Sequence, residues 1–72
     1  MNIDVAKRVV KSNLLVRNRF LYKGNRNQNE EFIGTISKMF PAIFIIELDN
    51  SVIKSFSYSD LLVGNLKIIA EK

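Results

Sequence analysis

The stretch Phe40-Pro41-Ala42-Ile43-Phe44-Ile45-Ile46-Glu47-Leu48 constrains this chain more than any other. It starts beside a proline, runs through β-branched and aromatic residues, and stops at the turn-forming Asp49-Asn50-Ser51. Its length, its branching and its flanks favour a strand over a helix. Ala42, Phe44, Ile46 and Leu48 fall on one face, Ile43 and Ile45 on the other, so both faces are apolar. A strand of that kind needs cover on both sides and is expected at the centre of the fold. Each of its Phe and Ile side chains contributes roughly 1.5–3 kcal/mol when buried.

The remaining sequence must supply that cover from 72 residues. A chain of this length forms one small domain, 1–72, and buries only about 60% of its unfolded surface. Hydrophobic residues at 47% and charged residues at 25% are ordinary for a globular protein. Cysteine and histidine are both missing, which removes disulfides and thiolate or imidazole metal sites. No cofactor is expected. The opening residues mix Asp4, Lys7 and Arg8 with single valines and do not form a signal peptide. The longest apolar run, Met39 to Ile46, falls well short of the roughly 18–20 residues that cross a bilayer. A soluble cytoplasmic protein without membrane contact is the expectation.

Residues 2–14 read as a helix, with Ile3, Val5, Ala6, Val9, Val10 and Leu14 on one half of the wheel. Asn2 suits the N-cap, and Asp4 suits the first turn. A helix of this length is marginal alone, so it is expected to close one open end of a sheet. Strands are expected at Val16–Lys23, at Glu31–Lys38, in the Phe40–Leu48 run entered through a tight Lys38-Met39-Phe40-Pro41 connection, at Val52–Tyr58 and at Asn65–Ala70. A polar loop separates the first two, from Gly24 to Asn29. Gly34 inside the second strand signals a bulge or a sharp bend. Ser59-Asp60-Leu61-Leu62 reads as one helical turn, which Ser59 is placed to cap and the Tyr58 hydroxyl to pin.

One helix (1–14) followed by five short strands (15–72) predicts a mainly β protein. Closing so small a sheet into a five-stranded SH3-like or Sm-like barrel hides its edges, and an open sheet completed by dimerisation is the alternative.

Charge is unevenly spread. Residues 1–26 carry seven basic groups against Asp4 alone, a balance of +6, whereas residues 27–72 balance at −2. A basic segment of this kind points to an anionic partner. The candidate nucleic-acid-binding residues are Lys7, Lys11, Arg17, Arg19, Lys23 and Arg26, set around Phe20 and Tyr22. The two aromatics read as core residues, which leaves an electrostatic site with few stacking platforms. The Ser55, Ser57, Tyr58, Ser59, Asp60 phrase offers hydroxyls without a histidine base, and reads as outward serines before a capped turn. Glu30-Glu31 and Glu47…Asp49 read as solubilising charge.

Three phrases resemble a known family: Gly34-Thr35-Ile36, the Phe40–Leu48 stretch, and Ser55-Phe56-Ser57-Tyr58-Ser59-Asp60-Leu61-Leu62. Together they are similar to the Veg family of short proteins from Gram-positive bacteria and their wall-less relatives. The resemblance spans roughly residues 15–69. It implies a small SH3-like barrel behind an N-terminal helix, and a link to biofilm formation through control of a transcription repressor. One departure stands out. The family's first interstrand loop is rich in Lys and Arg, whereas Asn27, Gln28, Asn29 and Glu30 follow Lys23 to Arg26 here.

The combined expectation is a non-enzymatic regulatory binding module that contacts nucleic acid or a ribonucleoprotein through its basic front third. The alternative is a protein-interaction adaptor that uses a sheet edge or the groove beside the Lys38–Pro41 turn to hold a regulator. Homodimerisation through a sheet edge is compatible with either.

Overall fold

The computed structural model describes residues 2–24 and 29–69. Helix α1 (Ile3–Ser12) is followed by strands β1 (Arg17–Lys23), β2 (Asn29–Met39), β3 (Ile43–Leu48) and β4 (Ile53–Ser57), the short helix α2 (Tyr58–Leu62) and strand β5 (Leu66–Ile69). Residues 25–28 of the expected loop and Ala70 of the expected last strand lie outside the described residues.

Helix α1 starts where the sequence places it. The Asn2 side-chain oxygen accepts from the Val5 amide at 3.2 Å, and Asp4 and Lys11 sit in the first and last turns, complementing the helix dipole. It ends two residues earlier than expected. The Asn13 side-chain amide donates to the Val9 carbonyl at 2.9 Å. Leu15 then takes a left-handed φ of 63°, and its amide donates to the Ile36 carbonyl at 2.9 Å. That reversal drops the chain onto the sheet.

The five strands form one antiparallel sheet in the order β4-β3-β2-β1-β5. The expected mainly β architecture behind an N-terminal helix is what the chain adopts. The expected centre is corrected: β2, not β3, is the middle strand. With eleven residues, β2 is long enough to pair with β1 along one part of its length and with β3 along another. The double cover expected for the 40–48 stretch is corrected as well. Phe44 and Ile46 are fully buried, but Ile43 on the opposite face is 38% exposed and Ile45 only half-buried. Helix α1 sends Ala6 and Val10 into the core formed by the other face, alongside Phe20, Ile36, Tyr58 and Leu66.

The sheet curls tightly around this core. Tyr22 on β1 meets Phe56 on β4 with ring centroids 5.2 Å apart, although two strands separate them in the sheet. Phe56 also stacks on Phe32 at 5.9 Å, and Phe32 stacks on Phe20 at 5.5 Å. Such ring pairs add about 0.5–1.5 kcal/mol each beyond burial. Helix α2 spans between the two edge strands and packs on both.

Gly34 does not carry the bulge; the register shift lies between Ile36 and Lys38. A Cβ at Gly34 would stand 2.7 Å from the Glu47 carbonyl oxygen and 3.0 Å from Ile46 Cγ2. The glycine is there to let β2 and β3 approach. The cap of α2 also lies two residues before the expected one. Ser57, not Ser59, precedes the helix, and its amide and hydroxyl donate to the Asp60 carboxylate at 3.1 and 3.3 Å.

Candidate interaction surfaces

Alternation along β1 turns Asn18, Phe20 and Tyr22 inward and Arg17, Arg19, Leu21 and Lys23 outward. Three of the six candidate basic residues therefore share one row, and Lys67 on β5, opposite Leu21, extends it. The row is not purely basic. The Arg17 Nε donates to both Asp49 carboxylate oxygens, at 3.3 and 3.1 Å, across 32 residues of sequence. These bonds hold the Asp49 carboxyl below its ordinary value of 3.8. Arg19 Nη1 lies 3.9 Å from Glu31 Oε1. Two of the row's four cations thus already face a carboxylate. An open cleft of about 370 Å³ runs between them, lined by Arg19, Glu31, Ile33, Leu48, Asp49 and Asn50 among others.

Lys7 and Lys11 belong to α1, away from that row. Lys7 Nζ sits 5.6 Å from the centre of the Tyr58 ring on α2, and Lys11 is exposed on the last helical turn. Arg26 lies outside the described residues. The structure thus gathers Arg17, Arg19 and Lys23, and places Lys7 and Lys11 on another element. Phe20 is fully buried, and Tyr22 is half-buried against Phe56. Both are core residues, as the sequence implies. The acid pair Glu30-Glu31 is divided by the strand's alternation. Glu30 meets Lys54 at 3.4 Å, while Glu31 faces Arg19.

A second surface comes from the start of the apolar run, where the expected Lys38–Pro41 connection extends to Ala42 before β3 begins. Phe40, Pro41, Ala42 and Ile43 form the tip of the β2–β3 hairpin, and all four are exposed, Phe40 at 46%. Proline has no amide to give a ladder, so the strand starts only at Ile43. The tip is apolar yet firmly held. The Phe40 amide donates to the Ile43 carbonyl at 2.8 Å. The Tyr58 hydroxyl donates to the Phe40 carbonyl at 2.7 Å. The tyrosine thus pins this hairpin, not the turn it belongs to. Pro41 was the signal that the apolar run breaks at its first residues.

Among the described residues, no helix is long and apolar enough to cross a membrane. No curated protein matches the chain. A family model described as "Biofilm formation stimulator VEG" matches residues 2–69, nearly its whole length. The chain therefore belongs to the Veg family.

Proposed function

We infer that this Veg-family chain acts in the regulation of biofilm formation as a non-enzymatic adaptor, docking a regulatory protein on the Phe40–Ile43 tip. One observation carries the reading: four consecutive apolar residues stand in solvent while both backbone groups of Phe40 are tied down. Apolar groups are normally buried where the fold allows it. A fixed exposed aromatic loses little conformational freedom on binding, which makes it a good anchor at an interface. The experiment is a pull-down from native lysate with and without nuclease, comparing the wild type with Phe40→Ser. A partner that survives nuclease and is lost with Phe40→Ser supports the adaptor. Capture that is indifferent to Phe40, or abolished by nuclease, contradicts it.

The second reading is contact with nucleic acid or a ribonucleoprotein through Lys7, Lys11, Arg17, Arg19, Lys23 and Arg26. It is supported by the outward row Arg17, Arg19, Lys23 and Lys67, and weakened by the carboxylates facing its arginines. Fluorescence-anisotropy titrations with RNA and DNA at low and high salt test it. Each phosphate contact steepens the salt dependence by about 0.9 for duplex DNA. Binding no tighter than that of a neutral control protein rules the reading out.

A further inference from the structure

The surroundings of the Phe40 tip narrow the chemistry of what it can hold. Helix α1 reaches it from the core side. Lys7 lies over the Tyr58 ring, its Nζ 5.6 Å from the ring centre, and the hydroxyl of that same ring holds the Phe40 carbonyl. One aromatic ring thus separates the ammonium from the tip. Strand β2 supplies Lys38 from the outer face. It is exposed and lies opposite Ile45 in the pairing of β2 with β3, so the two side chains are neighbours on that face. Ile43 continues the same face, with Ser57 opposite it and Ser55 opposite Ile45. Phe40, Pro41, Ile43 and Ile45 therefore make an apolar patch with a lysine on each side of the sheet and small hydroxyls along its border. Neither lysine is neutralised within the fold. Among the described residues the ion pairs belong to Arg17, Arg19 and Lys54, and Lys7 and Lys38 make none. Of the acids on neighbouring elements, Asp60 of α2 accepts from the Ser57 amide and hydroxyl. Asp4 lies in the first turn of α1, and Glu47 lies toward the far end of β3, opposite Ile53.

We propose that the tip docks an acidic segment of a partner protein, which sets apolar side chains on Phe40, Pro41, Ile43 and Ile45 and carboxylates on Lys7 and Lys38. The inference rests on the adaptor reading and adds the chemistry of the partner. Complementary charge around an apolar anchor selects the partner and speeds encounter more than it adds affinity. The same features disfavour other occupants. A two-fold contact sets the same patch on both sides, so a second copy at the tip would bring lysines against lysines. Nucleic-acid bases stack on rings, and Pro41, Ala42 and Ile43 offer none to stack on. Acyl chains make no use of the Ser55 and Ser57 hydroxyls beside Ile45 and Ile43, whereas a peptide brings donors and acceptors to meet them.

The test selects short random peptides displayed on phage against the full chain, and in parallel against Phe40→Ser. Selected sequences are then synthesised, labelled and titrated by fluorescence anisotropy. Peptides enriched on wild type but not on Phe40→Ser are expected to combine Asp or Glu with apolar residues, and to bind more weakly as salt rises. Two variants, checked for folding by circular dichroism, remove the charges. Lys38→Glu reverses an exposed one, and Lys7→Gln keeps a long side chain over Tyr58. The reversal is expected to weaken binding by about fivefold, the scale of an exposed ion pair, and Lys7→Gln to weaken it in the same direction. Peptides that need Phe40 but carry no excess of acids overturn the acidic partner and leave the adaptor reading standing. So do peptides that bind both lysine variants as tightly as wild type. A library that yields nothing on wild type, or acidic peptides enriched equally on Phe40→Ser, overturns the inference as well. Nuclease-treated capture that still depends on Phe40 then keeps the adaptor reading apart from that failure.

Discussion

The Tyr58 hydroxyl donates to the carbonyl oxygen of Phe40 at 2.7 Å, joining the first residue of α2 to the tip of the β2–β3 hairpin. The ring itself lies in the core against Phe44, with centroids 5.4 Å apart, and burial pushes its phenol above the ordinary value of 10. One side chain therefore anchors the core and fixes the surface proposed to bind.

Tyr58→Phe keeps the ring and removes only this bond. A typical intramolecular hydrogen bond contributes about 1 kcal/mol, and a loss of that size lowers the melting temperature of a domain this small by roughly 4–8 °C. Calorimetry measures the shift. The phenol's raised value adds an alkaline signature. A group whose folded value is raised contributes stability below its unfolded value and loses it as pH rises through the folded one. Wild type is thus expected to lose stability above pH 10 relative to Tyr58→Phe.

Gly34→Ala is expected to destabilise more than its exposure or its chemistry implies. The added methyl meets the Glu47 carbonyl oxygen and the Ile46 side chain, so the pairing of β2 with β3 must open to admit it. Overpacking of this kind costs about 1–3 kcal/mol. Urea unfolding monitored by circular dichroism reads it directly.

These two residues show what the sequence made legible. Periodicity, capping residues and turn formers located α1 and all five strands. The register that sets Gly34 opposite Leu48 and beside the Glu47 carbonyl, or the contact of Tyr58 with Phe40, depends on contacts between segments that no local pattern encodes. The apolar run misled in one respect. Hydrophobicity on both faces of residues 43–46 implied two covering layers, but α1 and α2 both send their buried residues, Ala6, Val10 and Tyr58, to the inner face. The basic front third was legible as a count, not as an arrangement. Asp49 neutralises Arg17 from a distant turn, and α1 carries Lys7 and Lys11 away from β1.

The Arg17–Asp49 pair predicts a pH and salt signature. Hydrogen bonding to Arg17 lowers the folded value of Asp49 below 3.8. A depressed carboxyl stabilises the fold above its unfolded value, and the contribution disappears as pH falls through the folded one. Wild type is expected to melt above Asp49→Asn at neutral pH and to converge with it in acid. The pair is exposed, so high salt must shrink the difference as well. Melting curves across pH at two ionic strengths check both.

The docking surface predicts a separation of stability from binding. Phe40 and Ile43 both show substantial exposure, so replacing them with serine is expected to shift stability by about 0.5 kcal/mol or less, as for other surface positions. Chemical denaturation of Phe40→Ser and Ile43→Ser measures this.

Nuclease-treated capture from native lysate, run side by side on wild type and the folded Phe40→Ser variant, decides whether the Phe40 tip docks a protein. The expected result is a protein partner that the wild type retains after nuclease and the variant loses. A partner retained equally by both, or released from the wild type by nuclease alone, contradicts it.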